Sequence, residues 1–168
     1  MKKFPAKTKK VLNSGEKVRS AAVYYLSRRP YTRFELAAKL RERGAEPRHV
    51  EEALAYLVEH GYLDEEKLAE AHIHHRSVNS LRGPFYVQRE LLTRGLDREL
   101  AESALARLYD RETERRAIDS FLDKEFRRAS MDLPDEKSWD KLYRKLVNRG
   151  FSSSLIDECL RFRKNVDK

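Results

Sequence analysis

The residues best suited to metal or acid–base chemistry in this chain are its five histidines, three of which, His72, His74 and His75, lie close together. A helical zinc site wants two imidazoles at i and i+4 on one face, a glutamate between them as general base, and a third ligand elsewhere. His72 and His75 are three apart with no glutamate between them and no third ligand in evidence. No metal site is expected, and the cluster reads as a partly exposed helix surface. Cys159 is the single cysteine, so an intramolecular disulfide is impossible, which suits a reducing compartment. It falls in an apolar stripe, where a small buried residue is wanted rather than a nucleophile. Phosphate-cradling G-x-x-x-x-G-K-[ST] and G-x-G-x-x-G loops, a G-x-S-x-G elbow and C-x-x-C pairs are all missing. The acids alternate with bases, as in Glu65-Glu66-Lys67 and Glu112-Thr113-Glu114-Arg115-Arg116, the pattern of solvated helix faces. No catalytic residues and no cofactor are expected.

Binding chemistry is better represented. Lys plus Arg number 36 against 28 Asp plus Glu, a net charge of +8 over 168 residues. Such a balance favours nucleic acid, an acidic protein or a nucleoprotein as partner. Three arginines share one setting: Arg43, Arg94 and Arg149 each immediately precede a glycine. A cation in the last turn of a helix is favoured by the helix dipole. A row of arginines, one per repeat on a common face, is a second reading compatible with the first.

The elements that position these arginines repeat. ELAAKLRERGAEPRHVEEAL (35–54), YVQRELLTRGLDRELAESAL (86–105) and KLYRKLVNRGFSSSLIDECL (141–160) align with Gly44, Gly95 and Gly150 in register, 51 and 55 residues apart. Leu40, Leu91 and Leu146 lie four residues before each glycine; Val50, Ala101 and Ile156 lie six after it; Leu54, Leu105 and Leu160 lie ten after. Each copy is a helix, a glycine that ends it with φ > 0, and a second helix. A further helix precedes each pair, at 16–28, 64–78 and 111–129. Local signals agree. Thr32 and Glu35 form a capping box, Pro47 suits a first turn, and Arg29-Pro30 and Gly61 end helices. The spacing predicts an all-α fold of three tandem three-helix, helix-turn-helix-like repeats at 16–63, 64–110 and 111–168, an architecture related to a short solenoid. The four extra residues of the second spacing fit a surface loop at Ser130–Asp135. Arg163 replaces the leucine of earlier copies, predicting a shorter final helix that caps the array.

Residues 1–15 carry Lys2, Lys3, Lys7, Lys9 and Lys10 with no acid before Glu16. They read as a basic, flexible N-terminal arm, either simply solvated or touching phosphates. They lack the apolar core of a signal peptide, and no stretch reaches membrane-spanning length. The expectation is a cytoplasmic protein, without membrane contact and monomeric.

A winged-helix reader of duplex DNA is the main rival. It should follow its recognition helix with strands, yet Gly61-Tyr62-Leu63 leads into Asp64-Glu65-Glu66-Lys67, an N-cap and an acidic first turn. Glu46, Glu51, Glu52 and Glu59 at the recognition position would repel phosphates. A transcription-factor-like protein of tandem helix-turn-helix units is the alternative reading.

Several motifs, all in register, carry a family resemblance. His60-Gly61-Tyr62-Leu63-Asp64, then Arg82-Gly83-Pro84 with Val87, Glu90-Leu91 and Arg94-Gly95-Leu96, then Leu146-Val147-Asn148-Arg149-Gly150-Phe151-Ser152 resemble the junctions of the RecX family over about residues 18–163. Departures are Leu68, where the family often has Phe, the Asn79-Ser80-Leu81-Arg82 run, and Phe85. The resemblance implies that the three repeats form an elongated curved array, and that the chain is a non-enzymatic regulator that binds RecA recombinase filaments on single-stranded DNA. It would modulate, in the inhibitory direction, ATPase activity, strand exchange and coprotease activity, within homologous recombination, DNA repair and the SOS response, with weak direct DNA binding. Candidate contact residues are Arg82, Arg89, Arg94, Lys141, Lys145 and Arg149. Reversal of Arg89, Arg94, Lys145 and Arg149 to Glu is expected to weaken filament binding with helicity intact.

Overall fold

The protein, seen in a computed structural model, is described over residues 12–129 and 135–166. The lysines of the basic arm up to Lys10, and loop residues 130–134, lie outside the described residues. Among the described residues there are nine α-helices and no strand. They are α1 Gly15–Leu26, α2 Arg33–Arg41, α3 Pro47–Glu59, α4 Glu65–His74, α5 Pro84–Thr93, α6 Arg98–Leu108, α7 Arg111–Ala129, α8 Glu136–Asn148 and α9 Ser153–Val166. No described helix is long and apolar enough to cross a membrane.

Local chemistry sets most boundaries. Ser14, Thr32, Asp97 and Asp135 accept backbone N–H groups at the starts of α1, α2, α6 and α8, satisfying donors that a helix leaves open. At Thr32 the bond is reciprocated by Glu35, completing the capping box. Pro47 opens α3. The repeat glycines adopt φ of +77° (Gly44), +83° (Gly95) and +84° (Gly150), a region costly for a side chain bearing Cβ. Leu40, Leu91 and Leu146 are fully buried.

The chain divides into two compact units. The first holds the described residues to Leu68 together with Arg94–Leu96. Its core joins Val18 and Ala22 of α1 to Leu36 and Leu40 of α2 and to Val50, Leu54 and Leu57 of α3. The second unit holds Ala69–Thr93 and the chain from Asp97 onward. There Ile118, Phe121 and Leu122 of α7 pack with Trp139, Leu142 and Leu146 of α8 and with Leu155, Ile156 and Cys159 of α9. The Cys159 thiol is 1% exposed, and burial pushes its pKa up.

Two expectations are corrected. The helix anticipated over 64–78 changes pitch: α4 stops at His74, and His75–Asn79 form a π-helical turn. Ser80 N–H donates back to His75 and Arg82 N–H to Arg76. This wider winding precedes Leu81, which sits at φ +48° and is 5% exposed. Burial of Leu81 in the second core offsets the cost of that backbone.

The final helix is not short. α9 has 14 residues against 13 in α3 and 11 in α6. Arg163 continues it because its guanidinium meets Asp123 (2.7 Å) and Asp119 (3.7 Å) on α7. The charge that seemed to end the apolar stripe instead ties α9 to α7. Arg163→Ala should lower the stability of the second unit by about 1 kcal/mol, since the pair is only partly exposed. Urea unfolding followed through Trp139 checks this; an unchanged midpoint would show that the pair adds nothing net.

Candidate functional site

The geometry of the arginines follows from how each Arg-Gly turn is held. In all three copies the arginine carbonyl accepts a hydrogen bond from a segment earlier in the chain. Leu12 N–H reaches Arg43 O (3.1 Å), Thr32 Oγ1 reaches Arg94 O (2.6 Å) and Gly83 N–H reaches Arg149 O (2.9 Å). The first two bonds lie in the first unit and the third in the second. Each guanidinium also folds back. Arg43 donates to the Tyr25 hydroxyl (2.9 Å). Arg94 makes a two-pronged pair with Glu35 (2.9 and 3.1 Å) and also donates to Pro30 O (3.4 Å). Arg149 donates to Ser80 O and Leu81 O (3.1 Å each) and lies over the Phe121 ring at 4.6 Å.

The Arg82-Gly83-Pro84 loop is clamped onto the third turn. Besides the Gly83 bond, Phe85 N–H donates to Gly150 O (3.1 Å), and the Tyr109 hydroxyl donates to Arg82 O (2.6 Å). A Cβ on Gly83 would lie 2.2 Å from Gly150 C and O, so only glycine permits this approach. The clamp sets the start of α5, and with it three side chains. Arg82 lies over the Tyr86 ring at 4.3 Å, and Arg89, one turn further along α5, faces the same ring at 5.3 Å. Cation–π attraction orients both forks. Burial, and then the charge of Arg82, hold the Arg149 guanidinium below its ordinary pKa, with Glu125 opposing. Glu125 is itself paired with Lys145. Among the described residues, no carboxylate is ion-paired to Arg82, Arg89 or Arg149.

The six anticipated contact residues therefore separate. Arg82 and Arg89 face the Tyr86 ring, while Arg149, close enough to Arg82 for their charges to interact, lies over Phe121. Lys145 is bound to Glu125, and Lys141, one turn earlier on α8, is exposed. Arg94 belongs to the first unit and is taken by Glu35. Residue type alone did not single out Tyr86 or Gly83. A signal was present in the repeat register: Glu35 and Tyr86 are equivalent positions of the first two copies, so the arginine partner of one copy is an aromatic ring in the next.

Two further acids of the second unit are matched internally. Glu90 takes both His72 Nε2 (3.0 Å) and Arg76 (2.7 Å). A cavity of about 530 Å³ in the second unit, between the π turn and α7, has Ile73, Leu81, Leu108 and Ala117 in its lining. Glu70 at its edge is paired with Arg107. No group of three or more His, Cys, Asp or Glu side chains is arranged to hold a metal among the described residues.

Comparison with known proteins adds the following. Family models for the first and second three-helix domains of RecX match residues 19–57 and 64–105. A regulatory protein RecX from Pseudomonas syringae pv. tomato is 42% identical over 95 residues, covering 56% of this chain and 61% of that protein. One from Halorhodospira halophila is 43% identical over 83 residues, covering 49% and 51%. The aligned stretch thus spans no more than 61% of the length of these two curated relatives. The crystal structure of RecX from Lactobacillus salivarius superposes with a TM-score of 0.78 at 26% identity, covering 88% of this chain and 94% of that one. A second RecX crystal structure shares the fold, with a TM-score of 0.76 at 24% identity over 86% and 72% of the two chains.

Proposed function

The chain belongs to the RecX family, and from that premise we propose that it binds RecA recombinase filaments on single-stranded DNA and slows their ATP turnover, strand exchange and coprotease action. The observation that carries the proposal is the arginine group formed by Arg82 and Arg89 over Tyr86 and Arg149 over Phe121, with cationic forks held in place and, among the described residues, no carboxylate ion-paired to them. A positive surface of this kind is steered toward a nucleoprotein bearing many negative charges. Contacts from more than one repeat would add avidity. No covalent chemistry is required of the chain; it acts by occupying the filament.

The first unit is a poor duplex reader. Glu46, Glu51, Glu52 and Glu59 are all exposed on or beside α3, the helix in recognition position, and would repel phosphates. The chain following it forms α4 rather than a wing.

The test is the DNA-dependent ATPase rate of the cognate RecA on single-stranded DNA as this protein is titrated in. A fall in rate at substoichiometric ratios, without comparable affinity for DNA alone, is expected. No change in rate, combined with tight binding to a particular duplex, would replace this reading with a helix-turn-helix DNA binder.

A further inference from the structure

The second and third repeats treat their arginines in the same way up to one substitution in the repeat before. Arg94 donates to Pro30 O, and Arg149 donates to Leu81 O, the carbonyl at the equivalent repeat position. The two guanidinium groups thus reach back to the same place in their respective turns. In the first unit, that place also contains Glu35. Its carboxylate takes Arg94 through two bonds and Arg29 through a third (3.3 Å). In the second unit the equivalent residue is Tyr86, which supplies a ring and no charge. Arg82 and Arg89 face that ring, Arg149 lies over Phe121 near enough to feel the Arg82 charge, and the acid that acts on Arg149 at longer range is engaged by Lys145. Burial and the nearby charge of Arg82 work against the Arg149 cation, and a bound carboxylate would offset the repulsion.

The geometry points to the Arg82–Tyr86–Arg89–Arg149 surface as a docking site for an acidic side chain of a protein partner, seated where Glu35 sits in the first unit. Guanidinium forks match planar carboxylates in bidentate fashion. The chain itself demonstrates this pairing at Arg94. The inference rests on the RecX reading only in assigning the carboxylate to a protein of the filament rather than to another acidic protein.

The decisive variant imitates the first repeat. Tyr86→Glu should fill the site from within. Full-length protein is titrated against a fluorescein-labelled glutamate-rich peptide and, separately, against labelled oligothymidylate of equal length. Tyr86→Glu should weaken peptide binding about tenfold, and the Arg82→Gln/Arg89→Gln pair, which leaves the backbone clamp intact, should do the same. Ser103→Glu, an equal charge change at an exposed α6 position outside the cluster, should have little effect. Tyr86→Glu should also raise the melting temperature, a gain that a merely disrupted fold would not show. Tighter binding of oligothymidylate with the same sensitivity to these variants would overturn the proposal in favour of a phosphodiester site. Peptide binding indifferent to both variants would also overturn it. Neither probe contains RecA, so these outcomes are separate from the ATPase result that tests the family function.

Discussion

Gly83→Ala should unfold the second unit more readily than any exposed substitution, with a loss of roughly 3–5 kcal/mol. The added methyl would meet backbone rather than a side chain: Gly150 C and O at 2.2 Å and Phe151 N at 2.3 Å. A side chain can rotate away, whereas a turn held by its own hydrogen bonds must separate from its partner. Separation breaks the bonds from Gly83 N–H to Arg149 O and from Phe85 N–H to Gly150 O. Trp139, the single tryptophan, is buried in the core of this unit and reports its unfolding. Gly61→Ala is the comparison. Gly61 has φ +70° but nothing within 4 Å of a Cβ, so its cost is limited to the left-handed backbone, about 1–2 kcal/mol. Equal destabilisation by the two substitutions would show that the Gly83–Gly150 approach is looser than described. Because the clamp sets the start of α5, Gly83→Ala should also scatter Arg82, Tyr86 and Arg89.

Arg94→Glu is expected to cost the first unit roughly 2–4 kcal/mol, the range for breaking a partly buried pair after allowance for its residual exposure. Arg94 and Glu35 are 22% and 21% exposed, and the reversal would set two carboxylates against each other. Burial tends to raise the pKa of Glu35. The Arg94 hydrogen bond, the Thr32 backbone N–H and the charges of Arg94 and Arg29 outweigh it and hold the carboxyl below its ordinary value. A depressed folded-state pKa contributes stability above the unfolded-state value, and that stability is lost as pH falls through the folded value. The advantage of the native pair should therefore be full at neutral pH and fade below the ordinary glutamate pKa of about 4.3. Hydrogen exchange of α2 and α3 amides across this range checks it, and Glu35→Arg together with Arg94→Glu should restore part of the loss. A pH-independent difference between native and variant protein would refute the assignment to Glu35.

This alters the use of charge reversal as a probe of binding. A quadruple change at Arg89, Arg94, Lys145 and Arg149 does not isolate an interface, because Arg94 and Arg149 hold their own turns. Arg82 and Arg89 touch the Tyr86 ring and leave the backbone clamp alone, so they are the better pair to change.

The features legible in the sequence were those decided within a few residues. The spacing of Val50, Leu54 and Leu57 marks one face of α3, Thr32 and Glu35 close a capping box three residues apart, and the repeat glycines end helices by their own backbone freedom. The π turn at His75–Asn79 was not legible, because an α-helical stripe and a widened turn share the same residues until burial of Leu81 selects between them. Arg163 was misread for a related reason: a cation in an apolar stripe looks like an end until Asp119 and Asp123 are placed opposite it.

By itself, then, the sequence determined the all-helical class, the threefold helix–glycine–helix repeat and the basic character, since periodicity, capping and composition act locally or in sum. Tertiary structure alone decided which arginines are spent and which are open. The partner of Arg94 is 59 residues away at Glu35, and those of Arg149 are 68 and 69 residues away at Leu81 and Ser80. Pairing over such separations is set by how helices pack, and at one repeat position the first unit has Glu35 in an ion pair where the second has Tyr86 with two arginines over its ring.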